Sequence, residues 1–131
     1  MSSIFSKIIK GEIPGYKIAE DENYFAFLDI NPLVKGHTLV VPKQETDYIF
    51  DLSDDLYKGF WSFSKYVGKA IEQAIPCNRI GITVIGLEVP HAHIHLIPIN
   101  KMADMNFANP KKSFSKEEME VTAAAIRKFL S

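Results

Sequence analysis

The sequence predicts an α+β domain in which an antiparallel sheet of five strands packs against one long helix. Short runs rich in β-branched and aromatic residues are separated by turn residues, which is typical of antiparallel strands. One longer segment instead repeats its apolar residues every three or four positions, which is typical of a helix. No repeat or linker divides the 131 residues, of which 47% are hydrophobic, so we expect a single domain over residues 1–131.

The first half of the chain is expected to form a short helix, a hairpin and a third strand. Ser2 or Ser3 can cap a helix that carries an apolar stripe, and Gly11 offers a left-handed stop after it. A polar turn then joins two short strands, and Gly36 precedes a β-branched run. The predicted strands cover residues 16–20, 24–28 and 37–42.

The longest helix is predicted to begin after Ser53 and to end at Pro76. Asp54 and Asp55 lie in its first turn, where acidic side chains interact favourably with the helix dipole. Its apolar face is expected to contain Leu56, Phe60, Phe63, Val67, Ile71 and Ala74.

The remaining elements are two strands and a C-terminal helix. The strands are expected at residues 80–85 and 91–98, and an irregular segment follows at 100–114. Met102, Met105 and Phe107 of that segment either cover an adjacent site or belong to a plain surface connection. Ser115 and Glu118 form a capping box before a helix whose buried face is expected to carry Met119, Thr122, Ile126 and Phe129.

Composition and charge exclude several classes of function. A net charge of -1 argues against binding to nucleic acid or to an anionic membrane, because both normally require a basic excess. The single Cys77 excludes an intramolecular disulfide framework and a zinc site made of cysteines alone, which fits a reducing cytoplasm. We expect no signal peptide, and no run approaches the roughly 18 apolar residues of a membrane span.

Three histidines alternate with apolar residues in the segment 91–98. In an extended strand His91, His93 and His95 share one face, which we expect to be accessible, while Ala92, Ile94 and Leu96 face the core. Crowded imidazoles disfavour one another's protonation, so at least one ring should be neutral at pH 7. A neutral ring suits a nucleophile, a general base or a metal ligand.

These segments resemble the histidine triad (HIT) superfamily of nucleotide hydrolases and transferases, and within it the Hint-like branch. The signature is His-x-His-x-His followed by Ile97 and Pro98. Segments of the N-terminal half match the family in order, at residues 4–9, 11–14, 27–32 and 36–42. The resemblance covers about residues 4–98 and leaves 99–131 as a C-terminal extension.

The resemblance implies a HIT-like fold that forms a homodimer through the long helix and an edge strand. It also implies a site for a purine nucleoside 5′-monophosphate moiety, such as AMP or GMP, that requires no metal or other cofactor. His93 matches the family's nucleophile, which attacks the α-phosphorus and carries a nucleotidyl intermediate. His91 and His95 are expected to orient His93 and to donate to phosphate oxygens, and His37 to hydrogen-bond to the triad from the neighbouring strand.

The resemblance also assigns the nucleoside contacts. Asp29 matches the acidic residue that binds the ribose hydroxyls, although a carboxylate there can equally close the turn at Asn31–Pro32. The positions that match the apolar base pocket are Phe5, Ile8, Ile13, Phe27 and Ile30, for which ordinary core packing is an equal explanation.

Two positions depart from the family pattern. The strand before the triad lacks the usual amide side chain and has Thr83 as its polar residue. Glu88 stands three residues before His91, where animal Hint and Fhit proteins carry a hydroxyl. Glu88 is expected either to act as a general acid for a leaving amine or to orient a histidine without a role in the chemistry.

Three readings of function therefore stay open. The first is an enzyme that hydrolyses nucleoside 5′-phosphoramidates, or else dinucleoside polyphosphates or nucleotidyl-transfer substrates. The second is a zinc site, since two histidines of the strand with a third histidine or Glu88 could hold the ion. The third is a nucleotide-binding dimer without catalysis.

Overall fold

Five antiparallel strands form one sheet, as the sequence predicts. The computed structural model describes residues 2–131; Met1, which the predicted domain includes, lies outside the described residues. The strands are β1 (Lys17–Glu20), β2 (Tyr24–Leu28), β3 (Thr38–Pro42), β4 (Arg79–Thr83) and β5 (Ile94–Ile99). Their spatial order is β1-β2-β3-β5-β4, so that β1 and β4 form the edges of the sheet.

The three predicted helices are confirmed. They are α1 (Ile4–Ile9), α2 (Asp54–Ala74) and α3 (Lys116–Arg127), and a serine caps the start of each. Gly11 has the predicted left-handed conformation, with a φ of 78°. The expectation for Phe129 is wrong, because α3 ends before it and the side chain is 43% exposed. None of the helices within residues 2–131 combines the length and the apolar character needed to cross a bilayer.

Apolar side chains cover both faces of the sheet. On one face, α2 and α3 pack through Phe60, Ile71 and Ile126 onto strand residues that include Ala26, Val40 and Ile94. On the other face, α1 packs onto the cluster of Phe5, Phe25, Phe27, Leu39 and Val41, with Ile8 and Ile9 beside it. Because alternate residues of a strand point to opposite faces, the triad histidines lie on the α1 side of the sheet.

The last two strands are shorter than the sequence predicts. Pairing of β5 with β3 ends where Ile94 meets Val40, so His91 and His93 precede the strand. Beyond that point Pro42 has no N–H to offer, and the Ala92 amide donates instead to the Thr46 carbonyl, at 2.7 Å. Strand β4 ends at Thr83, which pairs with His95, one residue after the start of β5.

Candidate functional site

The site is formed by the start of β5 and the segment before it, together with His37, which directly precedes the neighbouring strand β3. Ala92, Ile94 and Leu96 point into the core beneath α2, as predicted. The histidine face is not open along its length, however, because His91, His93 and His95 are only 0%, 6% and 7% exposed. The sequence pattern missed this burial, since it gives no sign that α1 folds across the histidines.

His93 is held in one orientation by the backbone of its own segment. Its Nδ1 lies 2.8 Å from the carbonyl oxygen of His91. A carbonyl can only accept, so Nδ1 carries a hydrogen, and in the tautomer with a single hydrogen Nε2 keeps the lone pair. Nε2 has no hydrogen-bond partner within residues 2–131. It is also not one of the fully buried polar atoms there, so it is accessible to solvent. The ring of Phe5 packs edge-on against His93, with 4.9 Å between centroids.

His91 is fully enclosed. Its Nε2 lies 2.7 Å from the Pro42 carbonyl and must donate to it, which leaves Nδ1 to accept from the Ser3 hydroxyl, also at 2.7 Å. Both ring nitrogens are therefore occupied by the protein. Direct donation from the His91 ring to a phosphate oxygen, which the resemblance implied, is incompatible with this geometry. His91 acts on the site through its backbone carbonyl.

His37 and His95 form a directed hydrogen-bonded pair. The Leu33 amide donates to Nδ1 of His37, at 3.0 Å, so the hydrogen of the neutral His37 ring is on Nε2. That nitrogen lies 3.0 Å from Nδ1 of His95, which accepts. The hydrogen of His95 is thus on Nε2, which has no partner within residues 2–131 and remains a free donor.

Burial keeps these rings neutral. It lowers the pKa of His37 to about 4, with the positive charge of Lys111 acting in the same direction. Burial likewise lowers the pKa of His95 to about 3, and the neighbouring His37 ring adds to the effect. The pKa of His91 is also lowered, chiefly by burial. The sequence predicted neutral rings from mutual repulsion, but loss of solvent is the larger cause.

Asp29 lies beside the histidine pair and serves the turn as well. One of its carboxylate oxygens accepts from the Asn31 amide at 2.9 Å, which closes the turn. The other lies 3.6 Å from Nε2 of His37, a contact with a neutral ring rather than an ion pair. Asp29, His37 and His95 offer donor atoms within 4.8 Å of one another and could hold a cation. A metal there would have to replace the hydrogen bond between the two histidines.

The five residues assigned to the apolar base pocket differ widely in solvent exposure. Phe5 and Phe27 are buried and lie 5.5 Å apart between centroids, and Ile8 packs beside their cluster. Ile13 is half-buried, whereas Ile30 is 63% exposed at the end of the Asp29 loop. Ile30 is therefore the most exposed of the five, and Phe5 is the one that packs against the His93 ring.

The comparison with known proteins agrees with this arrangement. The HIT domain family model matches residues 10–102. The chain belongs to the HIT family. An adenosine 5′-monophosphoramidase of Schizosaccharomyces pombe is 37% identical over 129 residues, which cover 96% of each chain. A HIT-like protein of Methanocaldococcus jannaschii is 43% identical over 102 residues, which cover 72% of this chain and 77% of the relative.

The fold is also that of solved HIT proteins. A HIT-like protein of Bartonella henselae superposes with a TM-score of 0.83 at 28% identity, over 97% of this chain and 95% of the other. The predicted fold class is confirmed.

The segment that departs from the family pattern lies at the surface. Glu88 is exposed in the loop between β4 and β5, and Thr83 is half-buried at the end of β4. Leu87 is 88% exposed beside it. Among residues 2–131, Glu88 forms no hydrogen bond or ion pair with a histidine, so its predicted catalytic role stays a prediction.

Four residues that sequence reasoning did not assign to the site belong to it, together with Phe107 of the C-terminal extension. Phe107 packs edge-on against His95 with 4.9 Å between centroids, and Lys111 donates to the Phe107 carbonyl. Of the two alternatives given for this segment, Phe107 follows the first, because it covers His95, whereas Met102 is 91% exposed. The surroundings of His91 contribute three more residues. Ser3 and Ser6 approach its Nδ1, and Glu45 accepts from Ser6. Their types carry no signal that would separate them from ordinary cap and loop residues.

Proposed function

We propose that this HIT protein is a nucleotide hydrolase that releases AMP or GMP from purine nucleoside 5′-phosphoramidates through a covalent intermediate on His93. The observation that carries the proposal is the tautomer of His93, whose Nδ1–H is donated to the His91 carbonyl while the Nε2 lone pair reaches solvent. The monophosphoramidase activity named for the S. pombe relative supports the substrate class.

In the first step Nε2 of His93 attacks the α-phosphorus and the bond from phosphorus to the leaving amine breaks. The leaving nitrogen takes a proton from water or from Glu88. The ring then carries phosphorus on Nε2 and hydrogen on Nδ1, and its positive charge is stabilised by the His91 carbonyl, 2.8 Å from Nδ1. His95 offers its Nε2–H to a phosphate oxygen as negative charge develops there.

In the second step water attacks the same phosphorus and the bond to Nε2 breaks. The hydroxyl of the water remains on the nucleoside monophosphate, its other proton returns to the water or the Glu88 carboxylate that gave one up in the first step, and the ring recovers its lone pair. One water is consumed for each amine released. A neutral imidazole suits both steps, because it is a good nucleophile and, once phosphorylated, a good leaving group.

The nucleoside portion would be held on the α1 side of the sheet. Asp29 is proposed to accept from the ribose hydroxyls through the oxygen that faces His37. Phe5, Ile8, Ile13, Phe27 and Ile30 are proposed to form the base pocket, with Phe5 placed between the base and His93. The single Cys77 supports a reducing compartment, which we take to be the cytoplasm.

We further propose that the protein is a homodimer formed through β4 and α2. β4 is an edge strand whose Ile82 is 48% exposed, and Phe50 nearby is 68% exposed. A cavity of about 670 Å³ opens on this side and is lined by Phe50, Trp61 and Ile82, among others. Within residues 2–131 the indole N–H of Trp61 is buried without a hydrogen-bond partner. A second copy would cover the apolar surface and supply an acceptor.

Release of AMP from adenosine 5′-phosphoramidate tests the hydrolase proposal. The wild-type protein is expected to turn over, and His93→Ala to lose turnover by at least about a thousandfold while it still binds AMP. A His93→Ala protein with substantial activity would refute the mechanism. AMP binding without turnover by the wild type would instead favour a nucleotide-binding dimer without catalysis.

A further inference from the structure

We infer that Glu45 is a positioning residue of the proposed active site, because it fastens α1 to His91 and thereby fixes the two groups that hold the His93 ring. The inference rests on the proposed function and adds to it a residue outside the histidine triad. Glu45 lies in the loop that follows β3, about forty positions from α1 in sequence.

One carboxylate oxygen of Glu45 makes two short hydrogen bonds to the N-terminal segment. It accepts from the Ser3 amide at 2.7 Å and from the Ser6 hydroxyl at 2.6 Å. The Ser3 hydroxyl accepts from the Ser6 amide at 3.0 Å and donates to Nδ1 of His91 at 2.7 Å. A continuous hydrogen-bonded path therefore runs from the carboxylate to the His91 ring.

Helix α1 needs such an attachment. It has six residues, and a helix of that length is not stable in water without tertiary contacts. Phe5 supplies the apolar part of those contacts, and Glu45 supplies the polar part. Ser3 and Ser6 are 8% and 7% exposed, so their hydroxyl groups would be buried at a cost if these bonds were lost.

The two groups that hold the His93 ring, the His91 carbonyl and Phe5, both depend on the position of α1, which Glu45 fixes. His91 is clamped between Ser3 and the Pro42 carbonyl, and its own carbonyl holds the His93 Nδ1–H. The same helix places Phe5 against the edge of the His93 ring, and Phe5 also packs edge-on against His91, at 5.8 Å. Loosening α1 would thus release His93 from its carbonyl and from its aromatic neighbour together.

A carboxylate is well suited to this position. Hydrogen bonds to an ionised oxygen are shorter and stronger than those to a neutral one, and a single oxygen serves both donors here. The bond from the Ser3 amide, followed by that from the Ser6 hydroxyl, lowers the pKa of Glu45 to about 2. The attachment therefore remains ionised throughout the neutral range.

The experiment compares Glu45→Ala and Glu45→Gln with Glu22→Gln, a matched change at an exposed carboxylate in the turn between β1 and β2. The tautomers of the four histidines are read by ¹⁵N–¹H correlation NMR of the full-length protein without substrate. Glu45→Ala is expected to shift the ring signals of His91 and His93 away from their single tautomers, Glu45→Gln to do so less, and Glu22→Gln not at all. Glu45→Gln keeps the test usable if Glu45→Ala fails to fold, because the amide retains an acceptor oxygen at that position.

The same proteins are assayed for turnover of adenosine 5′-phosphoramidate. Glu45→Ala is expected to lower kcat/KM by about tenfold, since a misplaced catalytic group loses rate without losing the group itself. Unchanged His91 and His93 signals in Glu45→Ala, or equal changes in Glu22→Gln, would overturn the inference. If the wild-type protein turns over no phosphoramidate, the proposed function fails, and the NMR comparison still decides whether Glu45 positions His93.

Discussion

At His93 the tautomer is set by a backbone carbonyl instead of a carboxylate, and this choice has chemical consequences. A carboxylate partner would favour the protonated ring and so remove the lone pair. The His91 carbonyl orients the ring without adding a full negative charge, and it would accept more strongly from the more acidic Nδ1–H of the proposed phosphorylated ring. In the proposed reaction the same carbonyl would therefore orient the His93 ring before attack and stabilise the positive charge on it afterwards.

The buried histidines predict that acid destabilises the fold. His37 and His95 have pKa values of about 4 and about 3 when folded, against 6.5 for an exposed ring. Below pH 6.5 the unfolded chain binds protons that the folded protein does not, so the free energy of unfolding falls as the pH falls. Between pH 7.5 and 5 we expect a loss of about 2 kcal/mol for each of the two histidines.

Urea denaturation at a series of pH values measures this loss. A His95→Gln protein, whatever its stability at pH 7.5, should show a shallower dependence on pH because one of the two titrating rings is gone. A free energy of unfolding that stays constant from pH 7.5 to 5 would contradict the burial of the pair.

The sequence predicted which residues form the site more reliably than it predicted which groups surround each of them. The alternation of histidines predicted correctly which side chains face the core. The enclosure of His91 could not be predicted, because it depends on Ser3 and Pro42, which are far apart in sequence and ordinary in type. Lys111 could not be predicted for the same reason, and Phe107 could be named only under one of two alternatives, since the extension that carries them has no periodic pattern.

At the scale of elements, the turn before β3 depends on a glycine that a side chain would disturb. Gly36 has a φ of 90°, and a Cβ there would lie 3.0 Å from Cγ1 of Ile75 and 3.3 Å from Cγ of Pro98. Gly11 has a similar φ of 78° but no atom within 4 Å of such a Cβ. Gly11→Ala is expected to cost about 1 kcal/mol of stability through backbone strain alone.

Gly36→Ala should cost roughly 2–3 kcal/mol, because the crowding adds to the same strain. Chemical denaturation of the two proteins measures the difference. Equal losses would show that Ile75 and Pro98 move aside freely. A larger loss for Gly36→Ala would confirm that the turn leading into His37 is tightly packed against the end of α2 and the end of β5.

The elements were predicted better than their ends. Caps at Ser53 and Ser115 and the stop at Gly11 are local features, and all were correct. Strand ends depend on what the neighbouring strand offers, and the loss of pairing at Pro42 excluded His91 and His93 from β5. Because Pro42 does not pair with β5, its carbonyl is free to accept a hydrogen bond from the His91 ring, which belongs to the candidate site.

For the whole molecule, the proposed dimer predicts that a charge at Ile82 yields a monomer. Ile82→Asp places an unpaired carboxylate on the exposed edge strand, where a second copy would have to bury it at high cost. Val121→Asp is the control, since Val121 is 67% exposed on α3, away from that edge. Light scattering after gel filtration should show a dimer for the wild type and Val121→Asp. A monomeric wild type would exclude the dimer.

The measurement that tests the central claim most directly is the intact mass of the protein shortly after mixing with adenosine 5′-phosphoramidate, with quenching that avoids acid. AMP release is followed in the same samples, beside His93→Ala. The account predicts a species heavier by one adenylyl group in the wild type alone, together with AMP. AMP release with an equal adduct in His93→Ala, or sustained turnover by that variant, would contradict a nucleotidyl intermediate on His93.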